Sequence, residues 1–182
     1  MNYLVIDQGT SSTKAFLFNA RGQILHQNRI KCSVEKPKPF HVEIDPLIIL
    51  EDIKELFIEM VDVSGESTIT CAGLAIQRST FLFWEKETCK PVTPAISWQD
   101  CRASNISNSI KSYRKKLWTI TGTPLSAHFG GPKFLYKSIK NLWSRTYCKF
   151  SSNQGFFNKL FFQKTPCCPI VCSAQKDSKD II

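Results

Sequence analysis

The stretch DQGTSSTK, at residues 7–14, joins two short apolar segments near the start of the chain. Residues 3–7 and 14–19 have the length and composition of strands, and residues 23–30 alternate apolar and polar side chains after a turn at 19–22. This order predicts an antiparallel meander of three strands. Its first connection would place a carboxylate, a glycine and four hydroxyls in one tight loop.

Such a connection can hold a phosphate group. Backbone N–H groups around Gly9 and Thr10 can approach an anion closely, Lys14 can balance its charge, and Asp7 can hold Mg²⁺ through water. A polar hairpin turn without a ligand explains the same residues equally well, so the spacing leaves both interpretations open. The stretch is not a Walker A loop, because it lacks the second glycine and the hydroxyl after the lysine.

The remaining pattern predicts a mixed α/β arrangement. Asp45 and Pro46 are typical of a helix start, and the 71–76 segment is a continuous apolar run, which suggests a strand covered on both faces. Residues 81–84 and 92–97 flank a turn as a hairpin, a second helix is expected at 106–117, and a third from about Pro132. The first helix is expected to bury a stripe made of Leu47, Leu50, Ile53, Phe57 and Met60.

Composition predicts one globular domain. The chain has 182 residues, of which 42% are hydrophobic and 21% charged, so it can build a core and is neither collagenous nor broadly disordered. The first residues lack the basic segment of a secretory signal, and no apolar run has the length of a transmembrane helix. We therefore expect a cytoplasmic protein with no membrane partner, whose eight cysteines are free thiols.

Charge is divided unevenly along the chain. Residues 1–100 contain 10 basic and 13 acidic side chains, whereas residues 101–182 contain 14 basic and 2 acidic ones. A basic half is compatible with a binding module for nucleic acid or another polyanion, which is the alternative function. The basic residues lie within amphipathic stretches such as 106–118, however, where a solvated helix face accounts for them. Nucleic acid is therefore not the expected partner.

Four blocks of the sequence together resemble the FGGY carbohydrate kinases, in particular the N-terminal part of glycerol kinase-like members. The second block is similar to a glycine-Trp-Val-Glu-His-Asp-Pro stretch of that family, and the third to its sugar-binding strand and to the hairpin that leads into a Trp-x-Asp-x-Arg motif. The blocks are DQGTSSTK at 7–14, FHVEIDP at 40–46, GLAIQR at 73–78 with FWEKET at 83–88 and PAISWQDCR at 94–102, and HFGGPK at 128–133.

The resemblance implies an incomplete ribonuclease H-like (actin-like ATPase) domain, with a mixed sheet and flanking helices. It also implies a carbohydrate kinase that transfers a phosphoryl group from ATP to a hydroxyl of a sugar or polyol, with Mg²⁺. By the same resemblance, Asp7 would organise the metal, and the nucleotide phosphates would meet Gly9, Thr10, Ser11 and Lys14. The implied substrate-binding residues are Gln77, Arg78, Trp98, Asp100, Arg102 and His128.

Structural roles remain open for several of these residues. Arg78 could close a salt bridge with Asp100, Trp98 could belong to a core, and His128 could be a surface imidazole. Ser79 stands where glycerol kinases have a substrate-binding glutamate, and His128 where they have a tyrosine, so a pentose or a polyol other than glycerol is expected. Cys89 stands where the family has glycine; a positive φ there would cost about 1–2 kcal/mol.

Length separates this chain from the family. Full members are more than twice as long and have two domains, and their catalytic base lies beyond the region matched here. No catalytic residue is therefore assigned, the chain alone is expected to be inactive, and a separately encoded second half is a partner that this interpretation allows. We expect residues 1–146 to form a partial N-terminal kinase domain and residues 147–182 to form a divergent, poorly ordered tail.

Overall fold

The computed structural model describes residues 1–85, 88–139 and 148–152, which fall into two compact units. The first unit comprises Met1–Cys32 and Ile48–Ile76, and the second comprises Ser33–Leu47 and the described residues from Gln77 onward. The elements in chain order are β1 (Asn2–Gln8), β2 (Ser12–Asn19), β3 (Ile24–Lys31), β4 (Glu43–Ile44), α1 (Pro46–Ser64), β5 (Ile69–Ile76), β6 (Phe81–Glu85), β7 (Ala95–Ile96), α2 (Ser104–Ser109), a 3₁₀ turn (Lys111–Tyr113), α3 (Arg114–Thr121), α4 (Gly130–Ile139) and β8 (Cys148–Ser152).

The first unit contains a mixed sheet in the order β3-β2-β1-β5. β1 pairs antiparallel with β2 and parallel with β5, and β2 pairs antiparallel with β3, so the predicted three-strand meander is confirmed. Alternate side chains of β1 and β2 are buried, as the period of two requires. β5 differs from the prediction, because its side chains are half-buried or exposed; the expectation that both of its faces are covered is wrong.

Helix α1 begins where the sequence predicted. Asp45 Oδ1 accepts the backbone N–H of Leu47 at 2.8 Å, and Pro46 occupies the first position, where a missing N–H does no harm. The buried stripe is rotated relative to the prediction, since Leu47 and Phe57 are exposed and the carboxylate of Asp52 is buried. Besides Asp52, α1 buries the apolar side chains of Ile49, Ile53, Leu56 and Met60.

The second unit contains an antiparallel sheet in the order β4-β7-β6-β8. The predicted hairpin is confirmed, although β7 is shorter than expected and pairs with β6 only through Ile96 and Phe81. Phe81, Phe83 and Ile96 form a buried cluster, and Phe134 of α4 stacks on Phe83 with ring centroids 6.0 Å apart. This aromatic contact fixes the first turns of α4 on the sheet.

The first predicted helix of the second unit is not continuous. The single helix expected at 106–117 is divided into α2, a 3₁₀ turn and α3, and none of the residues in these elements is buried. α4 begins at Gly130, two residues before the expected start, and is described as far as Ile139; residues 140–147 lie outside the described part of the chain. In the expected tail, residues 148–152 form β8 against β6, and residues 153–182 lie outside the described part.

Among the described residues, three other than glycine have a left-handed backbone: Phe40 (φ 65°), Ser79 (φ 60°) and Cys89 (φ 58°). The condition stated for Cys89 is therefore met, and Phe40 adds a second position where the resembling family stretch has glycine. Within the described ranges, no helix is long and apolar enough to cross a membrane.

Candidate functional site

The connection between β1 and β2 is held in one conformation by its own backbone. The N–H of Gly9 donates to the carbonyl of Ser12 at 3.0 Å. A Cβ added at Gly9 would lie 3.1 Å from that carbonyl oxygen, closer than an ordinary contact. Glycine therefore fits this position best, and Thr10 and the exposed Ser11 follow it at the turn. The connection presents backbone amides and hydroxyls, as phosphate binding requires.

Opposite charges flank this connection. Asp7 is the cross-strand partner of Lys14 in the register of β1 and β2, so the carboxylate and the ammonium group originate from directly opposed backbone positions. Both residues are half-buried. The structure thus brings together all five residues that the sequence assigned to metal and phosphate: Asp7, Gly9, Thr10, Ser11 and Lys14.

Cys32 forms hydrogen bonds with the β1–β2 connection, a role that the sequence did not reveal. Its N–H donates to Ser11 O at 3.0 Å, and its buried Sγ lies 3.6 Å from Gly9 O and 3.8 Å from Thr13 Oγ1. Burial raises the pKa of the Cys32 thiol, against the opposing effect of hydrogen bonds with Thr13 and Gln8. The thiol therefore stays protonated at neutral pH and can donate to Gly9 O.

In the second unit, Asp100 and Arg102 form a buried ion pair. Arg102 Nε lies 2.9 Å from both oxygens of Asp100, and its Nη2 lies 2.7 Å from Asp100 Oδ2 and 2.6 Å from Glu43 Oε1. Asp100 also accepts the N–H groups of Val42 (2.7 Å) and Arg102 (3.0 Å). Asp100 thus pairs with Arg102, and the alternative salt bridge with Arg78 is not the one that forms.

The ion pair determines the charge of Asp100. Burial alone would raise the pKa of this carboxyl, but the hydrogen bonds from the Arg102 side chain and from the N–H groups of Val42 and Arg102 hold it below its usual range. Asp100 is therefore ionised at neutral pH. Both of its oxygens accept hydrogen bonds from the protein, so Asp100 fixes the backbone at Val42 and at Arg102, which lies in the segment that follows Trp98.

Trp98 and His128 lie side by side, and Trp98 precedes Asp100 by two residues in the chain. His128 Nδ1 lies 3.1 Å from the carbonyl oxygen of Trp98, and the two ring centroids are 6.4 Å apart. Trp98 is 40% exposed, so its indole is a surface wall and not part of a core. The sulphur of Cys101 lies 3.6 Å from each ring nitrogen of His128.

Gln77 and Arg78 follow the end of β5. Arg78 is exposed and Gln77 is half-buried. Two residues later the hydroxyl of Thr80 accepts the N–H of Trp98 at 3.0 Å, so this segment is tied to the Trp98 backbone. The structure brings Trp98, Asp100, Arg102 and His128 together directly, whereas Gln77 and Arg78 approach them along the chain through Thr80.

Lys133 is the second residue that the sequence did not single out. Its side chain has no exposed surface, and its Nζ donates to the carbonyl of Ser97 at 2.6 Å. Burial lowers the pKa of Lys133 to about 8, although the charges of Asp100 and Cys101 act in the opposite direction. Lysine is rarely buried, so neither charge nor hydrophobic periodicity could have predicted this position.

Comparison with known proteins identifies the family to which the described residues are similar. The N-terminal domain model of the FGGY family of carbohydrate kinases matches residues 2–138. A glycerol kinase from Beijerinckia indica is 36% identical over 133 residues, which cover 71% of this chain and 26% of that protein. Another, from Roseiflexus sp., is 35% identical over 139 residues.

Solved structures agree with the fold. The glycerol kinase of Plasmodium falciparum, solved with ADP, superimposes with a TM-score of 0.80 at 26% identity, covering 86% of this chain and 33% of that one. A xylulose kinase from Rhodospirillum rubrum superimposes with a TM-score of 0.81 at 15% identity, a likeness of fold alone. The chain spans about a quarter to a third of the length of these relatives.

The fold is therefore that of the actin-like ATPases, as the resemblance implied, and the class of protein is a domain of that fold. The chain belongs to the FGGY family of carbohydrate kinases, and the matched residues are the N-terminal domain of that family, in its glycerol kinase-like form.

Proposed function

We propose that this chain carries the phosphate-binding and sugar-binding elements of an ATP-dependent sugar or polyol kinase. The observation that carries the proposal is the β1–β2 connection. There Asp7 and Lys14 oppose each other, and Gly9 occupies a position where a Cβ would lie 3.1 Å from Ser12 O. The similarity to a glycerol kinase solved with ADP supports a nucleotide as the phosphate donor.

The residues of the connection fit a magnesium-bound phosphate. Among the residues with described side chains, no three His, Cys, Asp or Glu groups cluster as a protein cage for a metal. Mg²⁺ commonly binds through one or two carboxylates, water and substrate phosphates, which is the arrangement that Asp7 alone can support. Bound there, the ion would neutralise charge on the transferring phosphate. Thr10 and Ser11 would donate hydrogen bonds to phosphate oxygens, Gly9 would let the phosphate approach the backbone closely, and Lys14 would balance the charge.

Trp98 and its neighbours would bind the phosphoryl acceptor. The exposed indole offers a flat apolar surface for the C–H face of a sugar, while the side chains of Gln77, Arg78 and His128 can form hydrogen bonds with hydroxyls. Ser79 lacks the carboxylate that the glycerol kinase resemblance would place there. A pentose or a polyol other than glycerol is therefore the proposed acceptor.

The 182-residue chain alone is proposed to bind these ligands without turnover. In the resembling family, the carboxylate that accepts the hydroxyl proton lies beyond the matched region, and loss of a general base lowers a rate by about 10²–10⁴-fold. A separately encoded second half would be the partner that restores activity. Coexpression of the chain with such a partner should produce ATP-dependent phosphorylation of a pentose such as D-xylulose, and absence of product would count against a split enzyme.

The test of the proposed function is calorimetric titration of the full chain with ATP, with and without Mg²⁺. Binding should require Mg²⁺, and Asp7→Asn should weaken it at least ten-fold, because the carboxylate that holds the ion is lost. Asp62→Asn removes an exposed carboxylate from α1 of the same unit and is the matched control, with no expected effect. Equal binding by the Asp7→Asn chain, or binding that ignores Mg²⁺, would refute the assignment.

A further inference from the structure

Lys133 is buried where an apolar side chain would be expected. It lies in the first turns of α4, next to Phe134, whose ring stacks on Phe83 of β6. Its side chain is fully shielded from solvent. The stacking contact anchors this turn of the helix independently of the lysine, so burial of Lys133 is not needed to attach α4 to the sheet.

The acceptor of Lys133 is a single backbone carbonyl. Ser97 O receives the Lys133 ammonium at 2.6 Å and also the N–H of Asp100 at 3.1 Å. The N–H of Ser97 donates in turn to Val42 O at 3.0 Å. The peptide groups on both sides of Ser97 are thereby fixed, immediately before the exposed indole of Trp98.

Two further side chains hold the next peptide groups. Thr80 Oγ1 accepts the N–H of Trp98 at 3.0 Å, and His128 Nδ1 lies 3.1 Å from Trp98 O. Three side chains from separate parts of the second unit, those of Lys133, Thr80 and His128, therefore converge on two consecutive residues. Of these three, only Lys133 is charged and fully buried.

A buried ammonium group destabilises a fold unless its interactions compensate. The charged groups that act on Lys133 are Asp100 and Cys101, which favour its protonated form, and Arg102, which disfavours it, and burial outweighs them all. Well-packed apolar replacements of buried charges are often neutral or stabilising. A lysine in this position is therefore better explained by what it positions than by what it stabilises.

We propose that Lys133 is a positioning residue that fixes the Ser97 carbonyl and thereby holds the Trp98 indole in the orientation used to bind the phosphoryl acceptor. The second half of this statement rests on the proposed function, whereas the first half concerns the segment 97–102 alone. An aromatic wall on a loop is useful for binding only when its orientation is fixed beforehand, because ordering it on binding would weaken affinity.

The experiment compares amide hydrogen exchange in the full chain and in its Lys133→Met variant, followed by mass spectrometry. The variant should fold with an equal or higher melting temperature, and peptides that contain residues 97–102 should exchange at least ten-fold faster. Peptides from β1 and β2 should be unchanged. Lys137→Met, one turn later on α4 and half-buried, is the matched control and should leave the 97–102 segment protected.

Three results would overturn the proposal: unchanged exchange at residues 97–102, acceleration spread over the whole chain, or loss of the fold in Lys133→Met, which would make the lysine a structural residue. Binding of D-xylulose, read from Trp98 fluorescence against a Trp98→Phe blank, then separates the two halves of the proposal. The Met variant should bind at least five-fold more weakly than the unmodified chain. If neither protein binds a sugar while exchange still accelerates, the proposed function fails and the positioning of the segment stands.

Discussion

The Phe40→Gly variant should have a higher free energy of unfolding than the Phe40→Ala variant. Its φ of 65° lies in the left-handed region, which costs a residue with a Cβ about 1–2 kcal/mol. Glycine avoids this cost but loses about 0.5–1 kcal/mol more conformational freedom on folding than alanine does. The expected difference is therefore about 0.5–1 kcal/mol in favour of Phe40→Gly over Phe40→Ala.

Comparing glycine with alanine isolates the backbone effect, because both variants remove the same ring. The ring is 75% exposed, and the carbonyl of Phe40 keeps the backbone in place by accepting the N–H of Cys101 at 2.9 Å. Cys89, with φ of 58°, should show the same preference for glycine. Val63 in α1 is the control, where alanine should be more stable than glycine by about 1 kcal/mol.

Urea unfolding measures these differences directly. With a denaturant slope of about 2 kcal/mol/M, the glycine and alanine variants at Phe40 should differ in midpoint by ~0.3–0.5 M. The reasoning is refuted if alanine equals or exceeds glycine at both Phe40 and Cys89 while Val63 shows the ordinary helical preference.

Three further changes test the site. The pKa of Lys133 near 8 means that the unfolded chain binds more protons than the folded chain between pH 8 and 10.5, so this residue should add about 3 kcal/mol to stability in denaturant across that range. In Lys133→Met the change with pH should lack this contribution, and what remains should reflect other groups such as Lys137, whose pKa burial lowers, and Cys32, whose pKa burial raises. The Arg102→Ala variant should have a free energy of unfolding about 3–5 kcal/mol lower than the unmodified chain, because it leaves Asp100 buried and unpaired. In the unmodified chain, the pKa of Asp100 is lowered by folding, so the stabilisation from its ionised carboxylate is present above pH 4 and is lost on further acidification. Gly9→Ala should weaken Mg²⁺-dependent ATP binding at least five-fold in calorimetry with little change in melting temperature, since its Cβ would lie 3.1 Å from Ser12 O.

The sequence predicts best those parts of the fold that depend on local pattern. β1, β2 and β3 follow from period-two alternation and tight turns, and the start of α1 follows from Asp45 and Pro46. The face of α1 that is buried was harder to predict, because apolar residues occur on more than one face of this helix. Several stripes then satisfy a spacing of three or four, and packing on the sheet selects one of them.

The division of the expected 106–117 helix has a similar cause. Ile106, Ile110, Tyr113 and Leu117 have helical spacing, but serine and asparagine between them have weak helix propensity. No residue of α2 or α3 is buried, so tertiary packing does not add the stability that a continuous helix would need.

For the candidate site, sequence reasoning identified residues by type but not their supports. The loop at 7–14 and the Trp98 segment are recognisable because hydroxyls, charges and an aromatic ring lie close together along the chain. Cys32 and Lys133 contact these segments from 18 or more positions away, and each looks unremarkable in its own neighbourhood. Contacts between distant segments leave no local pattern, so such residues emerge only from the folded structure.

The measurement that tests the central claim most directly is a backbone NMR titration of the full chain with Mg²⁺-ADP and, separately, with D-xylulose. The account predicts that the nucleotide shifts amide signals of residues 9–14 and that the sugar shifts those of residues 97–102. It is contradicted if neither ligand moves these signals, or if the nucleotide instead shifts the basic segment 111–116 in a manner abolished by salt, as a general polyanion-binding surface would.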